Sequence, residues 1–177
     1  MSRFLSFAVS VSSTEEATRK IKECQNKYHD ARHVCWAYML GAKRETWQLN
    51  DNGEPSGTAG KPILGQINSK GLTDVLVMVV RYFGGIKLGT SGLIAAYREA
   101  ARLALEDAGT KECHEMGKLS FQFSYADMDG IMRVVKAEET EITEKNFDNL
   151  CSMKIIIKEA DRERIKGLIE SRGGTIL

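Results

Sequence analysis

The sequence predicts an α+β protein of two domains, residues 1–112 and 113–177, the second a small ferredoxin-like βαββαβ domain. Three observations lead there. A chain of 177 residues is long for one compact core and suits one medium domain plus one small one. Two polar, glycine-rich loops, Asn50 to Pro62 and Gly84 to Gly92, dominate the first part. The texture then changes: Leu119, Phe121, Phe123 and Tyr125 alternate with Ser120, Gln122 and Ser124, the mark of a sheet with one polar face.

Taken in order, Phe4 to Val11 alternates as a strand does, and Ser13-Thr14-Glu15-Glu16 supplies a capping box for a helix with Ala17, Ile21, Cys24 and Tyr28 on one face. His33 to Leu40 reads as a strand, Val34, Trp36, Tyr38 and Leu40 facing one way and His33, Cys35, Ala37 and Met39 the other. Thr46 to Leu49 is its expected partner. After the first glycine-rich loop, Pro62 fits the first turn of a short helix carrying Ile63, Leu64 and Ile67, with Gly71 just past its end. Val75 to Tyr82 is an apolar run suited to a central strand. Beyond the second loop a strong helix aligns Leu93, Ala96, Tyr97, Ala100, Ala104 and Ala108 and stops at Gly109.

Thr110 to Gly117 lacks apolar periodicity and reads as a linker. The second domain follows: the alternating strand, a helix capped by Asp127 with Ile131, Val134 and Val135, strands at Thr140 to Glu144 and Met153 to Lys158, a helix capped by Asp161 with Ile165, Leu168 and Ile169, and a last strand at Thr175 to Leu177.

Composition narrows the function. No apolar run reaches the ~18 residues of a membrane span, and the start lacks a signal-peptide pattern, so a cytoplasmic protein without a membrane partner is expected. Cys24, Cys35, Cys113 and Cys151 are widely spaced, which suggests buried thiols rather than disulfides or a zinc knuckle. The net charge is +1, with 15 basic against 12 acidic residues up to position 112 and 10 against 12 beyond it. Bulk electrostatics therefore does not coat nucleic acid, but a local anion-binding patch in the first domain fits.

The two loops are where chemistry is expected. Each leads to a helix start, where backbone N–H groups and the helix dipole favour an anion, and each carries a lysine, Lys61 or Lys87; Arg81 ends the central strand. Glycines at 57, 60, 84, 85 and 89 permit close backbone approach, and Thr58, Thr90 and Ser91 offer hydroxyls. Nucleotide signatures fail: a phosphate-binding loop ending at Lys61 would need glycine at Pro55 and a hydroxyl residue at Pro62, and a dinucleotide fingerprint from Gly84 would need glycine at Ile86. No cofactor and no metal are expected, for the histidines 29, 33 and 114 show no ligand spacing. His33 and Cys35 share one strand face, a Cys–His pair without an evident orienting group. Aromatics near the basic loops, Tyr82 and Phe83 beside Arg81 and Tyr97 a turn into the next helix, offer rings on which bases could stack, but Phe83 and Tyr97 continue apolar faces and the core is the expected place for both.

Glu54-Pro55-Ser56-Gly57-Thr58-Ala59-Gly60-Lys61-Pro62-Ile63-Leu64 and Arg81-Tyr82-Phe83-Gly84-Gly85-Ile86-Lys87-Leu88-Gly89-Thr90 resemble the IMPACT/YigZ family, with support from Ser2-Arg3-Phe4, His33 to Tyr38 and Gly92 to Tyr97. The resemblance spans residues 2 to about 108, and the remainder is similar to the small domain that follows in bacterial members. It implies a first domain like domain IV of elongation factor G and a second like that factor's ferredoxin-like last domain, hence RNA or ribosomes. The sequence departs from the family pattern at Asn52, Ser91 and Ala95, where aspartate, glycine and arginine are usual; a carboxylate and a phosphate-binding candidate are lost. Eukaryotic members act in a kinase pathway through an extra N-terminal domain that this sequence does not show, and that role is not carried over.

The expectation is a non-enzymatic protein binding structured RNA or the ribosome, possessing no catalytic residues, its contact made by Lys61, Arg81, Lys87, Gly57, Thr58, Gly60, Gly84, Gly85, Gly89 and Thr90. The alternative is an enzyme on a small phosphorylated or nucleotide-like substrate, with Asp51 or Glu54 as acid/base or metal ligand.

Overall fold

A computed structural model describes residues 2–148 and 150–177, and the chain divides into two compact units, one running to Lys111 and the other Glu112–Leu177. In the first, β1 (Arg3–Ser10), β2 (His33–Leu40), β3 (Thr46–Asn50) and β4 (Val75–Tyr82) form an antiparallel sheet of order β1-β4-β2-β3. The apolar run of β4 is central because it is buried on both faces. Its Val77 and Val79 meet Cys35, Ala37 and Met39 under the helices α2 (Gly60–Ser69) and α3 (Gly89–Ala108). Its Leu76, Met78 and Val80 meet Val34, Tyr38 and Leu40 on the opposite face, which α1 (Thr14–Lys27) covers with Ala17, Ile21 and Cys24. The two-faced reading of β2 thus corresponds to two cores on either side of one sheet.

Register decides what gathers at one end of this sheet. Arg3 lies opposite Tyr82, Phe4 opposite Arg81 and His33 opposite Arg81, so the first residues of β1 and β2 meet the last of β4. Both glycine-rich loops are rooted in this first unit.

The second unit runs β5 (Met116–Phe123), α4 (Met128–Ala137), β6 (Glu141–Phe147), β7 (Cys151–Lys158), α5 (Arg162–Glu170) and β8 (Thr175–Ile176), the βαββαβ order. Its sheet has the order β6-β7-β5-β8, with Leu119, Phe121 and Phe123 packed against Ile131, Val135, Ile165 and Ile169. Strand β5 begins at Met116, inside the segment expected as linker.

Local chemistry differs from expectation at three caps. Ser13 Oγ accepts the Glu16 N–H at 3.2 Å, but the Glu16 carboxylate returns to the Ser12 N–H and hydroxyl rather than to Ser13. Asp127 and Asp161 make no side-chain cap bond: a single 3-10 turn precedes each helix, and these carboxylates accept instead from Ser124 Oγ and Arg164. Among the described residues no helix is long and apolar enough to cross a membrane.

Candidate functional site

The first loop folds around its own carboxylate. Asn52 and Gly53 take left-handed φ values of 43° and 83°, conformations that asparagine and glycine tolerate best, and they turn the chain back toward α2. Asp51 Oδ1 then accepts the N–H groups of Ala59 (3.0 Å) and Gly60 (2.8 Å), and Oδ2 that of Gly57 (2.8 Å). Burial alone would raise the Asp51 carboxyl; the three N–H bonds and the charge of Lys61 outweigh it and hold the group below its ordinary value. The anion site at the start of α2 is therefore filled by the chain itself. Gly60 is required there because a Cβ would stand 2.9 Å from Leu49 Cδ1 and 3.1 Å from the Asn50 backbone nitrogen. Thr58 is buried and donates its hydroxyl to Pro55 O at 2.6 Å.

Glu54 carries the loop into the core. At 8% exposure its Oε1 accepts from Arg81 Nη1 at 2.6 Å and from the Tyr97 hydroxyl at 2.8 Å, with His33 Nε2 3.9 Å away. His33 Nδ1 bonds the Asn52 carbonyl oxygen at 2.8 Å, and Asn52 Oδ1 accepts the Val34 N–H at 2.8 Å. Cys35 Sγ lies 3.0 Å from the Asp51 carbonyl oxygen and 3.3 Å from the Tyr97 hydroxyl. Residues from β2, β4, α3 and the loop thus share one buried polar network.

The network corrects several expectations. Arg81 is 5% exposed, bonded to Glu54 and, at 3.2 Å, to Ser2 Oγ, so its charge faces inward rather than toward a phosphate. Among the described residues its Nε has no hydrogen-bond partner. Gly57, Thr58 and Gly60 likewise serve the loop's own structure. The Cys35 thiol is pushed up to about 12, chiefly by burial and further by Glu54 and Asp51 against the opposing bond to Tyr97, so it holds its proton at neutral pH and is no thiolate nucleophile. Burial, Cys35 and Glu54 together raise the Tyr97 phenol. Cys113 is exposed, unlike the other three cysteines, which are buried. Among the described residues no group of three or more His, Cys, Asp or Glu side chains is placed to hold a metal.

The second loop has the opposite character. Gly85 and Gly89 have φ values of 84° and 72°, and a Cβ at either would meet nothing within 4 Å. Their backbone is open to solvent. Lys87, Thr90 and Ser91 are exposed, as are Ile86 at 68% and Leu88 at 37%. Phe83, placed in the core by its sequence, is 42% exposed, whereas Tyr97 is fully buried. The Phe83 ring centroid lies 5.7 Å from the Arg81 guanidinium carbon and 6.0 Å from that of Arg32. Arg32 and Arg3, both exposed and absent from the sequence-derived site, join this end of the sheet through strand register. Glu54 of the first loop pairs with Arg81 at the end of β4, the strand that leads into the second loop; Lys61 instead lies along Gly57, beside Asp51.

These features define a two-unit α+β protein with a carboxylate-locked loop beside an open, basic one. Residues 1–105 match the family model of the Impact N-terminal domain. The chain is 32% identical over 161 residues to the IMPACT family member YigZ of Escherichia coli (strain K12), a match covering 90% of this chain and 79% of that protein. It is 32% identical over 160 residues to the IMPACT family member YvyE of Bacillus subtilis (strain 168), covering 90% and 74% respectively. A solved structure described as the crystal structure of an hypothetical protein is similar with a TM-score of 0.72 and 28% identity, covering 99% of this chain and 88% of that one. The chain belongs to the IMPACT family.

Proposed function

We propose that this chain is an RNA- or ribosome-binding protein acting in the regulation of translation, hence cytoplasmic, and that it meets its partner with the second loop and the strand ends around it. The observation carrying this reading is the contrast between the loops. The first has its helix-start N–H groups occupied by Asp51; the second offers open backbone at Gly85 and Gly89 beside exposed Lys87, with Arg3 and Arg32 at the same end of the sheet. Of the carboxylates there, Glu54 is neutralised by Arg81, and Asp30 accepts the Tyr82 hydroxyl at 2.8 Å. A local excess of cations around accessible backbone suits a phosphate chain, and phosphate neutralisation is the largest general source of nucleic-acid affinity. The resemblance to the last two domains of elongation factor G supports the same partner. The enzyme alternative has less support, because the Asp51 and Glu54 carboxylates are engaged by backbone N–H groups, Arg81 and Tyr97.

The test is co-sedimentation with ribosomes and ribosomal subunits at low and near-physiological salt. Saturable, salt-sensitive binding by the natural protein and its loss in Arg32→Glu/Lys87→Glu are expected. Absence of binding by the natural protein at both salts refutes the proposal.

A further inference from the structure

We infer that Phe83 is a stacking platform for an unpaired base, so that the RNA taken by this surface is single-stranded where it touches the protein. The inference rests on the RNA reading above and adds which form of RNA is recognised.

A phenylalanine directly after a central strand would ordinarily be covered, yet this one is 42% exposed at the root of an open loop. Its ring is held in place from within: Arg81, at 5.7 Å, is itself fixed by Glu54 and Ser2. The second guanidinium near the ring, Arg32 at 6.0 Å, belongs to an exposed residue. A planar π face held against a buried cation and flanked by surface cations is the combination that single-strand binding uses. The base stacks on the ring while arginine and lysine take the neighbouring phosphates.

Charge selects this occupant over an apolar protein segment. Ile86 and Leu88 would suit either, but exposed Arg3, Arg32 and Lys87 surround the patch, and the buried carboxylate beneath it is neutralised by Arg81. A duplex keeps its bases stacked on one another, and its phosphates alone would reach these cations. The Phe83 ring therefore discriminates between single and double strands in a way that the cations do not.

The experiment measures anisotropy of a labelled oligoadenylate of about a dozen nucleotides and of a blunt RNA duplex of equal length. The variants are Phe83→Leu, which keeps apolar bulk without a π face, and Phe83→Tyr, which keeps the ring. Phe83→Leu should weaken single-strand binding roughly tenfold, change duplex binding by less than about twofold, and leave the thermal midpoint in place; Phe83→Tyr should bind as the natural protein does. Equal loss on both RNAs, unchanged binding in Phe83→Leu, loss in Phe83→Tyr, or a natural preference for the duplex overturns stacking while leaving the RNA reading intact. If the natural protein binds neither RNA nor ribosomes, the RNA reading falls, and this inference with it.

Discussion

Replacing Glu54 by alanine should be among the most damaging single changes available in the first unit. The substitution removes the acceptor of a 2.6 Å bond from Arg81 and a 2.8 Å bond from Tyr97, leaving a guanidinium in a residue only 5% exposed without its counter-charge. Among the described residues Arg81 Nε already lacks a hydrogen-bond partner, and the neutral Ser2 hydroxyl that accepts from Nη2 supplies no counter-charge in place of Glu54. Breaking a buried pair from one side costs about 3–5 kcal/mol, a large share of the roughly 5–15 kcal/mol that holds a domain folded. For a unit of this size that lowers the melting midpoint by at least about 10 °C. Trp36 and Trp47, the two tryptophans of the chain, both lie in the first unit, so their fluorescence during thermal or urea unfolding reports it without interference from the second. Glu54→Leu/Arg81→Met, which removes both charges, should recover a substantial part of the loss, since an apolar pair carries no stranded ion. A cost below about 1 kcal/mol for Glu54→Ala, or a double variant as unstable as the sum of its singles, refutes the view that this pair fastens the loop.

Asp51→Asn keeps the shape but must place an amide N–H₂ against backbone donors, and should cost about 1–3 kcal/mol near neutral pH by denaturant titration. Because the folded Asp51 carboxyl sits below its ordinary value, the unfolded chain binds more protons in the acid range. Its contribution is present above pH ~4, the unfolded value, and is lost as pH falls through the folded value; the asparagine variant should show a shallower acid loss. Gly60→Ala should destabilise by about 1–3 kcal/mol, as its Cβ collides with Leu49 and the Asn50 backbone. Gly65→Ala, on the exposed side of α2 with nothing within 4 Å, should instead stabilise by about 0.5–1 kcal/mol; thermal melts compare the two.

The fold was legible because its signals are local and periodic. The alternation of β2, the two-faced apolar run of β4 and the helix stops at Gly71 and Gly109 each need only neighbouring residues to be read, and Gly71 and Gly109 do take φ values of 63° and 69°. The end of the linker was misplaced because Met116 and Lys118 lie on the exposed face of β5, whose apolar alternation begins only at Leu119. The site was only partly legible, for a different reason. That Arg81 faces inward depends on Glu54, 27 positions earlier, and that Phe83 stands exposed depends on where β4 ends relative to β2; neither follows from spacing along the chain. Glycine compounded the difficulty. Gly60 and Gly85 look alike in sequence, yet one excludes a Cβ because packing leaves no room and the other adopts a left-handed turn in open space.

This difference dictates how the surface must be tested. Reversing the charge of Arg81 would set two carboxylates against each other in the core, so lost RNA binding could be nothing more than an unfolded first unit. Lys87 and Arg32 are exposed, and charge changes at such positions usually alter stability by no more than about 0.5 kcal/mol. Loss of binding in Arg32→Glu/Lys87→Glu with an unchanged melting midpoint therefore reports the interface, whereas a lowered midpoint would show that these cations, too, serve the fold. The Glu54–Arg81 pair is better understood as the fastening of the first loop to β4: it holds that loop closed and fixes the guanidinium that lies against the Phe83 ring, leaving the second loop with the accessible backbone and charge.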